Sequence, residues 1–152
     1  TTFTTLCKAY YKNICGPQPH WKPGAPNAPG NALPDNVTEL VKAAYPNILD
    51  IAESDDDQEV VSAALLAVGE MVETMGPASI EHVMDRIPKI AYDLTADCVE
   101  QAPEGVEPED LDRNESLNVM VIEAVCLCLT KIAKAYGPAF GKYLQVCQAL
   151  AT

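Results

Sequence analysis

The sequence predicts an all-α fold, a solenoid of stacked antiparallel helical pairs, on three observations. Apolar residues recur at helical spacing through most of the 152 residues. A Gly-Pro break ends a helical run three times, at YYKNICGPQ (10–18), MVETMGPAS (71–79) and KIAKAYGPAF (131–140). A prolyl phrase also repeats, because Tyr45-Pro46-Asn47-Ile48 stands 42 residues before Ile87-Pro88-Lys89-Ile90.

The first pair occupies residues 1–53. Thr2 to Ile14 forms its first helix, ended by Cys15-Gly16-Pro17, and Asp35 to Glu53 forms the second, with Val37, Val41, Ala44, Ile48 and Leu49 on its apolar side. Between them, residues 16–34 hold six of the twelve prolines and the single Trp. Pro23-Gly-Ala-Pro26 and Pro26-Asn-Ala-Pro29 have the spacing of polyproline ligands. A loop inserted within a helical pair adds little closure entropy, however, so this segment reads as dispensable, with Trp21 laid against a helix.

The second pair occupies residues 57–102. Asp55, Asp56 and Asp57 cap a helix whose Val61, Ala64, Leu65, Val68, Val72 and Met75 share one face. Gly76 then supplies a left-handed cap and Pro77 opens the next helix. That helix is expected from Ala78 to about Glu100, with Ile80, Val83, Ile87, Ile90, Leu94 and Cys98 inward and a kink at Pro88. An acidic insert, residues 103–114, precedes the third pair, residues 115–152, which is cut short. Its helix from Glu115 to Tyr136 carries two apolar rows, Val121, Val125, Cys128 and Ile132 beside Leu117, Met120, Ala124 and Leu127. Two rows need covering on two sides, which stacking between neighbouring pairs provides.

Composition narrows the function. A net charge of −12 argues against a nucleic-acid surface and favours basic partners. No stretch approaches eighteen unbroken apolar residues, so no membrane span is expected. The start, TTFTTLCKAYYK, has neither an initiator Met nor a signal peptide and reads as an excerpt from a longer chain. The six cysteines are expected as free thiols in a reducing compartment: Cys126 and Cys128, two apart on one helix, point to different faces and cannot grip one ion together. No metal or cofactor is expected, and SDDDQE lacks the Gly turn and ligand spacing of a calcium loop. A non-enzymatic protein is expected, because no phosphate-cradling loop is present and His82 shares its stripe with Arg86, Lys89 and Asp93, a mixed surface ridge.

Helical pairs of about 40 residues with loop insertions mark a HEAT or armadillo-type solenoid. VVSAALLAVGEMVETMGPASIEHVMDRIPKI (60–90) and MVIEAVCLCLTKIAKAYGPAFGKYL (120–144) resemble the HEAT repeats of importin-β-type (karyopherin-β) nuclear transport receptors, whose first helices often end in Gly-Pro and whose second helices often carry an internal Pro. NILDIAESDDDQEVVSAAL (47–65) is similar to a junction of that family, while the Arg usually found in the first helix is absent from VVSAALLAVGE. The resemblance implies a protein-binding segment of an import receptor, found in cytoplasm and nucleus. Its partners would be cargo with Lys- and Arg-rich signals, Ran loaded with GTP and, through the full-length parent, nucleoporins.

In that family the second helices line the concave, cargo-gripping face. The 42-residue offset places Glu39 level with Glu81 and Asp50 level with Tyr92. With Asp85, these residues are the expected partner-binding ridge. Thirteen of the 22 carboxylates crowd the two junctions, around Asp55 to Glu59 and from Asp97 to Glu115, where they act as solvated helix caps or as an acidic edge for basic cargo. The alternative function is a HEAT-repeat scaffold for a phosphatase, a translation regulator or another multiprotein complex.

Overall fold

The computed structural model describes residues 2–16, 21–28, 30–100 and 108–151, and among these every regular element is helical. The α-helices are α1 (Thr2–Cys15), α2 (Asp35–Ser54), α3 (Gln58–Met75), α4 (Ile87–Glu100), α5 (Pro108–Tyr136) and α6 (Gly141–Ala151). Three 3-10 turns lie at Pro77–Ser79, Glu81–Val83 and Gly137–Phe140.

The start of α3 follows from its cap. The Asp57 carboxylate accepts from the Glu59 N–H at 2.9 Å, satisfying one of the four donors a helix start leaves open. Its end follows from Gly76, whose φ of 87° and ψ of −175° lie in a region essentially reserved for glycine. This differs from the left-handed cap expected there: φ is positive, but ψ is extended, which turns the chain away instead of curling it back.

Odd-numbered helices lie beside one another, and α3 with α5 forms the most extensive contact of the molecule. These two run parallel. Gln58 Nε2 meets Asn118 Oδ1 at 2.6 Å near one end, Lys131 Nζ meets Glu73 at 3.2 Å further along, and the Tyr136 hydroxyl reaches the Pro77 carbonyl at 3.5 Å at the other end. Gly69 makes the approach possible, since a Cβ there would stand 3.1 Å from Lys131 Cδ and 3.5 Å from Cys128 Cα. The layer of α2 and α4 also rises in register: Tyr45 meets Ser79 and His82, Asp50 meets Arg86, and Ala52 to Asp56 share a pocket with Leu94 to Cys98. One continuous core results, containing the expected inward residues of α2, α3 and residues 80–91.

Several expectations are corrected. The second helix of the second pair begins at Ile87, not Ala78, and Pro88 opens it without kinking it. A proline there cannot donate to the carbonyl one turn earlier, so the chain before it closes shorter bonds, Val83 N–H to the Ile80 carbonyl and Arg86 N–H to the Val83 carbonyl, both 3.0 Å. Pro46, by contrast, lies inside α2 as expected. The acidic insert is helical from Pro108, a residue suited to a helix start; residues 103–107 lie outside the described residues. The second apolar row of α5 is covered only in part: Ala124 is buried and Leu117 and Met120 half-buried, but Leu127 is 50% exposed. The helical run Glu115–Gln145 has a mean hydropathy of 1.7 in its most apolar 18-residue window, a length and composition that a core helix and a membrane span share.

The Pro-rich loop lays Trp21 against a helix, as expected, and makes further contacts that its composition does not indicate. Trp21 donates its indole N–H to the Thr74 carbonyl at 3.1 Å, and the Gly24 N–H reaches the Ala135 carbonyl at 3.0 Å. Both acceptors belong to the last turns of helices, where carbonyls lack intrahelical partners. Asn31, buried, holds the loop's shape: its Oδ1 accepts from the Lys22 N–H at 2.8 Å while its Nδ2 donates to the carbonyls of Lys22 and Ala25. The loop is therefore a brace across the ends of α3 and α5.

The five described cysteines, Cys7, Cys15, Cys98, Cys126 and Cys128, are free, but they are not equally sheltered. Cys126 is exposed, whereas burial pushes the Cys128 thiol up to about 12. A thiol reagent applied to the folded protein is expected to modify Cys126 quickly and Cys128 only after unfolding, as read by peptide mapping in a mass spectrometer. Equal rates at the two positions would contradict the α3–α5 packing.

Candidate functional site

Glu81 is the expected site residue with the most developed surroundings. It opens the 3-10 turn Glu81–Val83, and the shortness of that turn points its carboxylate toward the end of α5 and the start of α6. The Tyr136 hydroxyl donates a short hydrogen bond to Oε2, and the Tyr143 hydroxyl donates to Oε2 at 3.2 Å and more loosely to Oε1 at 3.4 Å. Lys142 Nζ stands 3.9 Å from Oε1 and 4.8 Å from the centre of the Tyr143 ring. Tyr136 is fully buried; burial first, and then the carboxylate that accepts its proton, push its phenol well above the ordinary range and keep it a neutral donor.

Three rings assemble around this group. Tyr136 and Tyr143 meet edge-on with centroids 5.5 Å apart, and Phe140 lies 6.5 Å from the first and 6.1 Å from the second. An open cavity of about 570 Å³ adjoins them, walled by Ala25, Pro26 and Asn27 of the brace on one side and by Pro138 and Ala139 on the other, with Glu81 and Lys142 between. The Gly137-Pro138 break thus builds one wall of a cavity as well as ending a helix.

The remaining ridge residues are distributed differently from expectation. Asp50 is engaged by Arg86, whose Nη2 lies 2.8 Å from Asp50 and 3.4 Å from Glu53, so these carboxylates form a cross-helix ion pair instead of standing open. Glu39, Asp85 and Tyr92 are exposed. Glu39 and Glu81 are equivalent by offset but not by structure, because Glu39 sits within α2 while Glu81 sits in a 3-10 turn that faces α5 and α6. Sequence reasoning missed Tyr136, Tyr143 and Lys142 as Glu81's partners and read Arg86 only as surface. The available signal was the third Gly-Pro break, which places a Tyr on either side of a tight turn.

Elsewhere, Phe3, Ile48, Ile51 and Val60 border an apolar groove of about 310 Å³ between α1, α2 and α3. Among the described residues no three His, Cys, Asp or Glu side chains cluster as a metal site would require. His82, exposed overall, packs edge-on to Tyr45, 6.0 Å between ring centres, and partial desolvation lowers its pKa below the usual value. Compared with known protein families, characterised proteins and solved structures, the chain matches none.

Proposed function

We propose that the chain is a segment of a HEAT-type α-solenoid that binds basic protein segments, as part of an importin-β-type nuclear import receptor working in cytoplasm and nucleus. One observation supports this reading: α3 and α5 lie side by side and parallel, α2 runs beside residues 79–98, and the side formed by α2 and residues 77–86 exposes Glu39, Glu81 and Asp85. Stacked pairs give an extended surface, and carboxylates spaced along it suit an extended chain rich in Lys and Arg. Cargo signals are the preferred ligand, with Ran-GTP and nucleoporins as partners of the parent protein.

The test must separate contact from bulk attraction, because a protein at −12 draws any polycation. A labelled Lys- and Arg-rich peptide is measured by stopped-flow against Glu39→Lys/Asp85→Lys and against a control double on the odd helices, Glu70→Lys/Glu123→Lys. Both doubles change the charge equally. The first is expected to speed dissociation roughly tenfold, and the control to alter mainly the salt-dependent association rate. Equal effects would sink the reading. Nucleotide-dependent capture of Ran distinguishes the receptor from a scaffold, which would show none.

A further inference from the structure

We infer that the cavity beside Glu81 is a seat for one lysine-type ammonium group from a partner chain, and that Lys142 of this protein occupies its edge as an internal placeholder. The inference rests on the basic-peptide reading above and names where along the surface a single cation is recognised.

The chemistry lies in how unequally the two Glu81 oxygens are served. Oε2 accepts from both Tyr136 and Tyr143. Among the described residues Oε1 has only long contacts, 3.4 Å to the Tyr143 hydroxyl and 3.9 Å to Lys142 Nζ, the latter beyond hydrogen-bond reach. Two tyrosine hydroxyls hold the carboxylate in place, so an arriving ammonium meets a fixed acceptor, not a flexible one. The Tyr143 face adds a second attraction, since a cation within about 6 Å of a ring centroid is drawn to its negative face, and Lys142 already sits there at 4.8 Å.

Lys142 is a weak occupant. Its side chain is 63% exposed and it makes a loose ion pair of the kind that contributes little in water. The cavity of about 570 Å³ leaves room for the methylene stem of an incoming lysine between Pro26 and Ala139. The apolar walls suit that stem and the carboxylate suits its tip.

The probe is Nα-acetyl-lysine methylamide, titrated by NMR while the Tyr143 ring resonances are followed. Lys142→Ala is expected to bind it about twofold to fivefold more tightly than the parent protein, the gain from removing one exposed ion pair and one cation–π contact. Lys134→Ala, an equal change of charge at an exposed position on α5, is expected to leave the affinity unchanged. Glu81→Gln removes the charged acceptor and is expected to abolish saturation; its melting temperature shows whether the fold has survived, and the two lysine variants decide the matter if it has not. Equal affinities for Lys142→Ala and Lys134→Ala, or shifts that avoid Tyr143, overturn the seat. A seat that passes while polybasic peptides ignore the Glu39/Asp85 reversal overturns the receptor reading alone.

Discussion

Replacing Gly76 by Ala is expected to destabilise the fold by about 2–6 kcal/mol, measured by chemical denaturation, because two costs add. The backbone there, at φ 87° and ψ −175°, is a conformation that a side chain raises by about 1–3 kcal/mol. The new Cβ would also lie 2.5 Å from Trp21 Cγ and 2.7 Å from Trp21 Cβ, so the indole must shift, an overpacking cost of about 1–3 kcal/mol. The two parts separate in a double-mutant cycle. With Trp21→Gly already present both the Cγ and the Cβ contacts disappear, and Gly76→Ala should then cost only the backbone part. A Gly76→Ala loss under about 1 kcal/mol would mean that the chain relaxes around both constraints.

Trp21→Ala is expected to cost about 2–4 kcal/mol, somewhat below the full range for a buried Trp because the ring is only half-buried. The lost packing on the α3 terminus accounts for most of it, and the Thr74 carbonyl, left without its indole donor, for the rest. Replacing residues 21–31 with a Gly-Ser linker should do at least as much damage, since it also removes the Gly24 bond to Ala135 and the Asn31 clamp. A pure spacer of this length would cost under about 1 kcal/mol to replace, because closure entropy depends only logarithmically on loop length. A measured value that small would return the loop to the status of a spacer.

The contrast shows what a sequence can carry. Apolar periodicity identified α2, α3 and the buried row of α5 because each residue's neighbours one turn away fix its face, and Val68, Met75, Val121 and Ile132 are buried accordingly. Pro88 was misread because the same residue type serves as an interior kink or as an opening turn, and only the tertiary setting decides which. The loop was legible only in part: Trp21 packs on a helix as expected, but six prolines describe stiffness and say nothing of where Gly24 and Asn31 land. The Glu81 cluster was least legible, since Tyr136 and Tyr143 stand 55 and 62 residues away and no local pattern couples them to it.

Helices that touch only their neighbours come apart piecemeal, fraying from their ends. The brace opposes that behaviour. It follows α1, seats an indole on the end of α3 and ties its backbone to the end of α5. Neither end can unwind without loosening the loop, so a short stretch of chain is expected to make the ends of α3 and α5 melt together.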